Sequence, residues 1–309
     1  MSDPRFDVLG FGIVTVDDFL SVDRYPTAGE KTPVRGRYRQ GGGLTGTALV
    51  AAARLGASAA FAGVLGTDDL SRWTLAELER EGVDCSEVIT RPDAQVYHAI
   101  IIVDREHRSR TIFHFSGGFV PRPAEAIDER LIGSTRVLFV DQCDPATTGK
   151  ACRIARDLGV PVVADFEHGS GPHVDAVLAQ VDHLIVPLAF GRAYTGEREP
   201  ADIVRCLARS RRTCTAVTAG DAGCWYVTGD QADEVRHQPA FEVNAVDTTG
   251  CGDVFHGAYA AGIARGWPVD RAIPFAAAAA AIKATAPGGR EGIPDRKTVE
   301  RFLRDRSAG

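Results

Sequence analysis

No apolar run in this 309-residue sequence approaches the roughly 20 residues needed to cross a bilayer. The longest low-complexity piece, Ala276 to Ala281, is strong helix former and too short to span. Met1 to Phe6 holds no apolar signal region, so the expected location is the cytoplasm, with no membrane partner. An excess of positive charge is also missing. With 35 Lys and Arg against 41 Asp and Glu, the formal net charge of −6 argues against a nucleic-acid backbone as partner. It leaves room for an anionic small substrate, because a pocket can be basic inside an acidic protein. Cys-x-x-Cys pairs are lacking: the seven cysteines (Cys85, Cys143, Cys152, Cys206, Cys214, Cys224 and Cys251) are odd in number and scattered. They read as reduced thiols and small core residues, not a disulfide frame or a zinc site. A complete dinucleotide fingerprint is absent too, since Thr15 stands where Gly10-Phe-Gly12 would need its third glycine.

What is present is the composition of an ordinary globular protein, 44% hydrophobic and 25% charged, without internal repeat or long linker. Strand-like and helix-like segments alternate, the mark of a mainly parallel sheet covered on both faces. Strands are expected at Phe6–Leu9, Ala59–Leu65, Val137–Val140, Val160–Ala164, His183–Val186 and Cys214–Val217. Helices are expected at Thr45–Leu55, from Asp68 to Gly82, and at Ala146–Leu158, Val174–Gln180 and Ala201–Arg209. A β-turn unit from Gly223 to Phe241 precedes two closing apolar helices, Val254–Arg265 and Asp270–Ala284. Tyr97–Val103 and Arg110–Phe115, around a polar turn, read as a hairpin. With Ile13–Val22 and Pro33–Tyr38 it forms a small separate sheet, so the expectation is one domain, 1–309, with a lid from about 13–40 and 96–116. Ile100, Ile101, Ile102 and Ile112 on that half-solvated element predict a homodimer clasped lid to lid.

The chain centres on Val243 to Gly262. A β-like run breaks at Gly250 and Gly252 and continues as Val254, Phe255, Ala258, Tyr259 and Ile263, apolar at helical spacing. A glycine turn opening a helix presents unpaired amides and the positive end of the helix dipole, a site for an anion such as phosphate. Asp253 stands where the anion would sit. A carboxylate there is unfavourable unless it has a task, such as taking a proton from an attacking hydroxyl. As an alternative, Asp253 simply caps a buried helix.

Gly41-Gly42-Gly43 before the Ala-rich helix, and Asp247-Thr-Thr-Gly-Cys-Gly-Asp253, resemble the two signatures of the ribokinase (PfkB) family of carbohydrate kinases. Val217-Thr-Ala-Gly220-Asp-Ala-Gly223 resembles its nucleotide strand and turn, and Gly12 to Asp17 its substrate-binding segment. The resemblance implies a ribokinase-like three-layer α/β sandwich with a β-sheet lid. It implies transfer of the γ-phosphoryl of ATP, with Mg²⁺, to a hydroxyl of a small sugar. Asp253 then matches the catalytic base and the amides of Gly250, Cys251 and Gly252 the anion hole. Asp17, Gly42, Gly43, Thr47 and Asp141 match sugar contacts. Thr218, Gly220, Gly223 and Gly252 fall at the nucleotide. Asp247 and Thr249, with carbonyls in 283–288, match a monovalent cation (K⁺) site that some members possess.

The family's Asn-x-x-Glu is missing; Pro187 and Phe190 stand there, and Asp165 and Glu167 become the candidate Mg²⁺ residues. Thr47 replaces a sugar-binding asparagine. Gln238–Phe241, Val254-Phe-His256-Gly and Ala286–Pro294 resemble a branch acting on 6-deoxy-6-sulfofructose, where Lys31 falls on a sulfonate-binding lysine. Against that branch, His114 replaces an asparagine and Cys143 an arginine; a neutral thiol lacks the guanidinium's charge and forked donors. A different ketose or acidic sugar fits equally. Arg290 reads either as a nucleotide contact or as a loop salt bridge, and His256 either as a packed core histidine or as a substrate contact. Two other readings stand beside the sugar kinase: a non-catalytic sugar or nucleotide sensor, and a nucleoside kinase.

Overall fold

A computed structural model of the chain describes residues 4–107, 109–209, 211–229 and 234–307. Strands β1 (Phe6–Phe11), β2 (Thr15–Val22) and β3 (Gly36–Gly42) precede helix α1 (Leu44–Arg54). Next come β4 (Ala59–Phe61), β5 (Val64–Leu65), α2 (Asp69–Arg80) and β6 (Ile89–Thr90), and then the hairpin β7 (Tyr97–Asp104) and β8 (Ser109–Phe115). The alternation resumes with α3 (Glu129–Ile132), β9 (Thr135–Asp141), α4 (Pro145–Leu158), β10 (Val162–Asp165) and α5 (Pro172–Leu178). It continues through β11 (His183–Pro187), α6 (Leu188–Thr195), α7 (Pro200–Leu207) and β12 (Cys214–Thr218). After β13 (Cys224–Thr228) and β14 (Arg236–Gln238), the chain ends in α8 (Cys251–Ala264), α9 (Val269–Lys283) and α10 (Arg296–Ser307).

The main sheet has the order β14-β13-β12-β11-β10-β9-β1-β4. It is parallel from β4 to β12, and β13 and β14 run antiparallel at the edge. Successive side chains of a strand enter opposite cores. Val8, Val137 and Phe139 pack with Leu49, Val254 and Ala261 on one face. Leu9, Leu138 and Val140 pack with Ala151, Val177 and Ile203 on the other. The strands are therefore apolar on both sides, as a covered parallel sheet requires. A second sheet, ordered β3-β2-β7-β8, is separate from the first.

Several boundaries differ from expectation. β3 starts at Gly36, beyond Pro33, whose missing N–H cannot join a ladder, and it carries Gln40-Gly41-Gly42 as its end. Ala59–Leu65 divides at Ala62-Gly63 between two sheets, and β1 runs on through Gly10 to Phe11. α6 follows β11 without a loop, so no turn signal separates the two elements. α10 adds a third closing helix; its charged sequence hides Val299, Phe302 and Leu303, which pack at i, i+3 and i+4 against the core. Position 108 of the expected polar turn and positions 230–233 of the 223–241 unit lie outside the described residues.

Candidate active site

The parallel strands end in Asp141 (β9), Asp165 (β10), Pro187 (β11) and Thr218 (β12), and the amino terminus of α8 faces those ends. Gly250 caps that helix in the left-handed region, φ 75°. A Cβ at this position would stand 2.6 Å from the Gly289 carbonyl oxygen, so the turn needs glycine. Val254 N–H closes the first turn on Gly250 O at 2.9 Å, and the Cys251 amide donates to Thr248 O at 3.2 Å. Among the described residues this leaves the amides of Gly250, Gly252 and Asp253 without a backbone acceptor. Of the expected trio, Gly250 and Gly252 keep a free amide, whereas the Cys251 amide is engaged in the turn; the Asp253 amide is free beside them. Nothing lies within 4 Å of where a Gly252 Cβ would point, so the helix end is open.

Asp253, in the first turn of α8, is half-buried. Burial, followed by the carboxylates of Asp165 and Glu167, pushes its carboxyl well above the usual range; Arg290 opposes that shift. Asp165 is 2% exposed and is likewise pushed up by burial and then by Glu167 and Asp141. Its Oδ2 lies 3.2 Å from Nδ1 of His256. The His256 ring is held on both sides, Nδ1 2.8 Å from Gly252 O and Nε2 3.0 Å from Ile185 O. His256 is thus a buried strut between α8 and β11, not a substrate contact. Glu167 is exposed, and its amide donates to Gln142 Oε1 at 2.8 Å. No group of three or more His, Cys, Asp or Glu side chains among the described residues is placed to hold a metal. Mg²⁺ commonly needs only one or two protein carboxylates plus phosphate oxygens, and of the candidate pair it is Glu167 that has its carboxylate outward.

On the other side of the cleft the lid sheet meets α1. Register places Gln40, Asp17, Ala99 and His114 in one row across β3, β2, β7 and β8. Asp17 and His114 therefore share a face, although His114 is exposed. Asp17 accepts a 2.8 Å bond from Thr15, and burial raises its pKa against the pull of Thr15 and Arg290. A Cβ on Gly42 would collide with Asp17 Oδ2 at 2.2 Å, and one on Gly43 with Ile13 O at 2.4 Å. Asp141 differs from expectation. It is fully buried, and its carboxylate accepts from Ile13 N (2.7 Å), Thr45 Oγ1 (2.8 Å) and Cys143 N (2.9 Å). Those bonds pin the 12–14 loop and α1 and leave little acceptor capacity for a sugar. Lys31 is exposed on the β2–β3 connection. The Cys143 thiol, pushed well up by burial and Asp141, lines a mostly apolar recess with Phe11, Phe61, Val96 and Tyr97.

Arg290 takes the place the sequence reading left open. It is 4% exposed, and its guanidinium donates from Nη2 to Gly42 O (2.9 Å) and from Nε to Thr47 Oγ1 (3.3 Å). It thus approaches the Gly42 and Thr47 side of the cleft, where the sugar contacts are expected, and not the side of Thr218 and Gly220. Gly41 and Gly46 make room: a Cβ on Gly41 would sit 2.2 Å from Nη1, and one on Gly46 2.7 Å from Nη2. A cleft of about 1480 Å³ opens on the far side of the anion site, lined by Thr218, Gly220, Gly223, Cys251, Gly252 and Phe255. It brings together the residues expected at the nucleotide and is large enough for one.

The pfkB family carbohydrate kinase model matches residues 7–296. The chain belongs to that family. An ATP-dependent ribose-1-phosphate kinase from Halopiger xanaduensis is 29% identical over 307 residues, covering 97% of this chain and 98% of the relative. A ribokinase structure from Thermotoga maritima superposes with a TM-score of 0.83 at 25% identity, covering 97% of this chain and 99% of the other. The chain spans about half (55%) of the bifunctional ribokinase/ribose-5-phosphate isomerase A of Fructilactobacillus sanfranciscensis, to which it is 25% identical. Other relatives are named ribokinases and fructokinases. The fold of this pfkB carbohydrate kinase is ribokinase-like.

Within the kinase, the segment expected to bind a monovalent cation is already engaged. Asp247 accepts from Thr249 N (2.8 Å) and Gly288 N (2.9 Å) on its carboxylate, and its main-chain oxygen accepts from Lys283 Nζ at 2.9 Å. The Thr249 hydroxyl is contacted by Arg110 of the lid. An ammonium on the Asp247 carbonyl leaves these donors unsuited to a second cation, so the expected K⁺ site does not fit this chain. Sequence reasoning named Lys283 only as the start of a carbonyl-bearing segment; a lysine at the end of an apolar helix was the available signal. No helix among the described residues is long and apolar enough to cross a membrane.

Proposed function

We propose that this kinase, with ATP and Mg²⁺, phosphorylates a hydroxyl of a small sugar that carries an acidic group. Asp253 takes the hydroxyl proton as the γ-phosphoryl arrives, and the amides of Gly250, Gly252 and Asp253 steady the developing charge. Asp17, Gly42 and Gly43 orient the sugar, Thr218, Gly220 and Gly223 border the nucleotide, and Glu167 with Asp165 behind it draws Mg²⁺ to the phosphates. Mg²⁺ held there would supply positive charge against the phosphates. The lid excludes water by meeting the phosphate loops: Gly289 N–H donates to Gln40 Oε1 at 2.9 Å, and Arg110 reaches Thr249.

The observation that carries the substrate class is Arg290. A buried guanidinium is costly unless its charge is compensated. Among the described residues its hydrogen bonds go to a neutral carbonyl and a hydroxyl, while the carboxylates of Asp17, Glu77, Glu81 and Asp253 act on it through space without a hydrogen bond. A carboxylate, sulfonate or phosphate ester on the substrate supplies a hydrogen-bonded anionic partner, and the Halopiger relative is named for a sugar phosphate. A sulfonated ketose belongs to this class, with Arg290 as its anion partner instead of Lys31 or Cys143. Calorimetry with sugar acids, sugar phosphates and sulfosugars against their neutral parents tests this. Arg290→Met is expected to weaken the anionic ligands by roughly 10- to 100-fold, the loss of one charge-assisted bond, and to change the neutral ones little. Equal turnover of neutral and anionic sugars, with both affected alike in the variant, contradicts the assignment.

The lid's outer face carries Ile100, Phe113 and Phe115 at 39%, 53% and 60% exposure, while register turns Ile101 and Ile112 to the opposite face. That patch supports a lid-to-lid homodimer. Sedimentation at micromolar concentration is expected to give a dimer that Phe113→Asp converts to a monomer; a wild-type monomer rules it out. All seven cysteines are free, which supports action in a reducing compartment such as the cytoplasm.

A further inference from the structure

Lys283 is the last residue of α9, and it is fully buried. A lysine wholly inside a protein ordinarily has a carboxylate partner. This one hydrogen-bonds to a main-chain oxygen, Asp247 O, at 2.9 Å. That oxygen belongs to the loop that enters the anion-binding turn. The same loop is tied to the end of α9 by Val246 N and Asp247 N, which donate to Ala284 O at 2.7 and 3.1 Å. Gly288 N on Asp247 Oδ2 joins the loop to the following segment, whose Gly289 carbonyl abuts Gly250. Two phosphate-side loops and the negative end of a helix dipole thus converge on one point, and the charge found there is an ammonium. The ionisable groups facing it are Cys251, Asp247 and Asp253, with Arg110 repelling it from the lid.

We propose that the Lys283 ammonium is a built-in cation: it organises the loop before Gly250 and makes turnover independent of any monovalent metal ion. An ammonium group and K⁺ are similar in size and charge, and both are satisfied by carbonyl oxygens. Tethering the charge to α9 removes the need to recruit it from solution. Lys283 acts through the loop and not on the reacting atoms, so it is a positioning residue.

The test is salt replacement combined with Lys283→Met, which keeps the aliphatic stem and removes the charge. Wild-type kcat is expected to be the same in K⁺, Na⁺ and choline buffers. The variant is expected to lose turnover on the order of 10²-fold in choline, the scale of losing one element of transition-state charge stabilisation. NH₄⁺ or K⁺, but not tetramethylammonium, is expected to restore activity and to raise the melting temperature of the variant selectively. A variant that folds only in K⁺ or NH₄⁺ reports the same rescue through stability. A purely structural lysine would show no such cation selectivity. The proposal is overturned if the wild type requires K⁺, if Lys283→Met folds and is indifferent to K⁺ and NH₄⁺, or if it stays unfolded in every salt.

Discussion

Asp253→Asn is expected to lower kcat by ~10³-fold, the usual worth of a positioned general base, while an ATP analogue and the sugar bind with nearly unchanged affinity. Asparagine keeps the shape of the side chain at the mouth of the helix but cannot accept the proton. It also removes one member of a crowded set of carboxylates, so nucleotide affinity is more apt to rise than fall. The pH profile gives an independent reading. In the wild type, burial and then Asp165 and Glu167 hold the Asp253 carboxyl well above the ordinary range. A base must be deprotonated to work. kcat/KM should therefore fall as pH drops through that raised value, with its acid limb above the ~3.9 of a free aspartate. The Asn variant should lack this limb. ADP release measured from pH 4 to 9 checks both statements; near-normal turnover in the variant, or an acid limb that survives in it, would falsify the base assignment.

Gly250→Ala should lower kcat by about 10²- to 10³-fold, the penalty for misplacing one oxyanion donor, and should also destabilise the fold by ~1–3 kcal/mol. Two features combine here: a backbone in the left-handed region at φ 75°, and a Cβ that would lie 2.6 Å from the Gly289 carbonyl. The neighbouring loop would have to withdraw, and with it the Gly288 contact to Asp247. Gly252→Ala is the control for the stability effect, because its Cβ meets nothing within 4 Å. Thermal unfolding of both variants, with kcat measured alongside, separates strain from chemistry. If Gly250→Ala melts and turns over like the wild type, the tight turn is not what positions these amides.

Much of the fold is legible in the chain because burial on both faces leaves a local trace. Val137 to Val140 and Leu184 to Val186 are continuous apolar runs, and each lies in a buried strand. The hairpin shows in Tyr97–Val103 and Arg110–Phe115 because two β-branched runs flank a polar turn. α10 is hard to read because only Val299, Phe302 and Leu303 face inward on a charged helix, and α6 because it follows β11 directly, with no loop to separate strand from helix. Candidate site residues divide the same way. Gly250, Gly252 and Asp253 form one local motif, a glycine turn feeding a helix, and they stand together in the structure. Lys31 and Asp141 were placed by correspondence of position, and one is solvated on a loop while the other is turned into the protein.

The linear order of residues determined an apolar-cored parallel α/β body and a helix mouth bearing an acid, since both follow from spacing over a few residues. Only the tertiary structure decided which charges meet. Arg290 reaches Thr47 across 243 positions, and Lys283 reaches the Asp247 carbonyl across 36. A charged side chain is exposed or buried, paired or unpaired, according to neighbours brought from elsewhere in the chain. Its cost and its use in a low-dielectric interior therefore depend on contacts that no local pattern encodes.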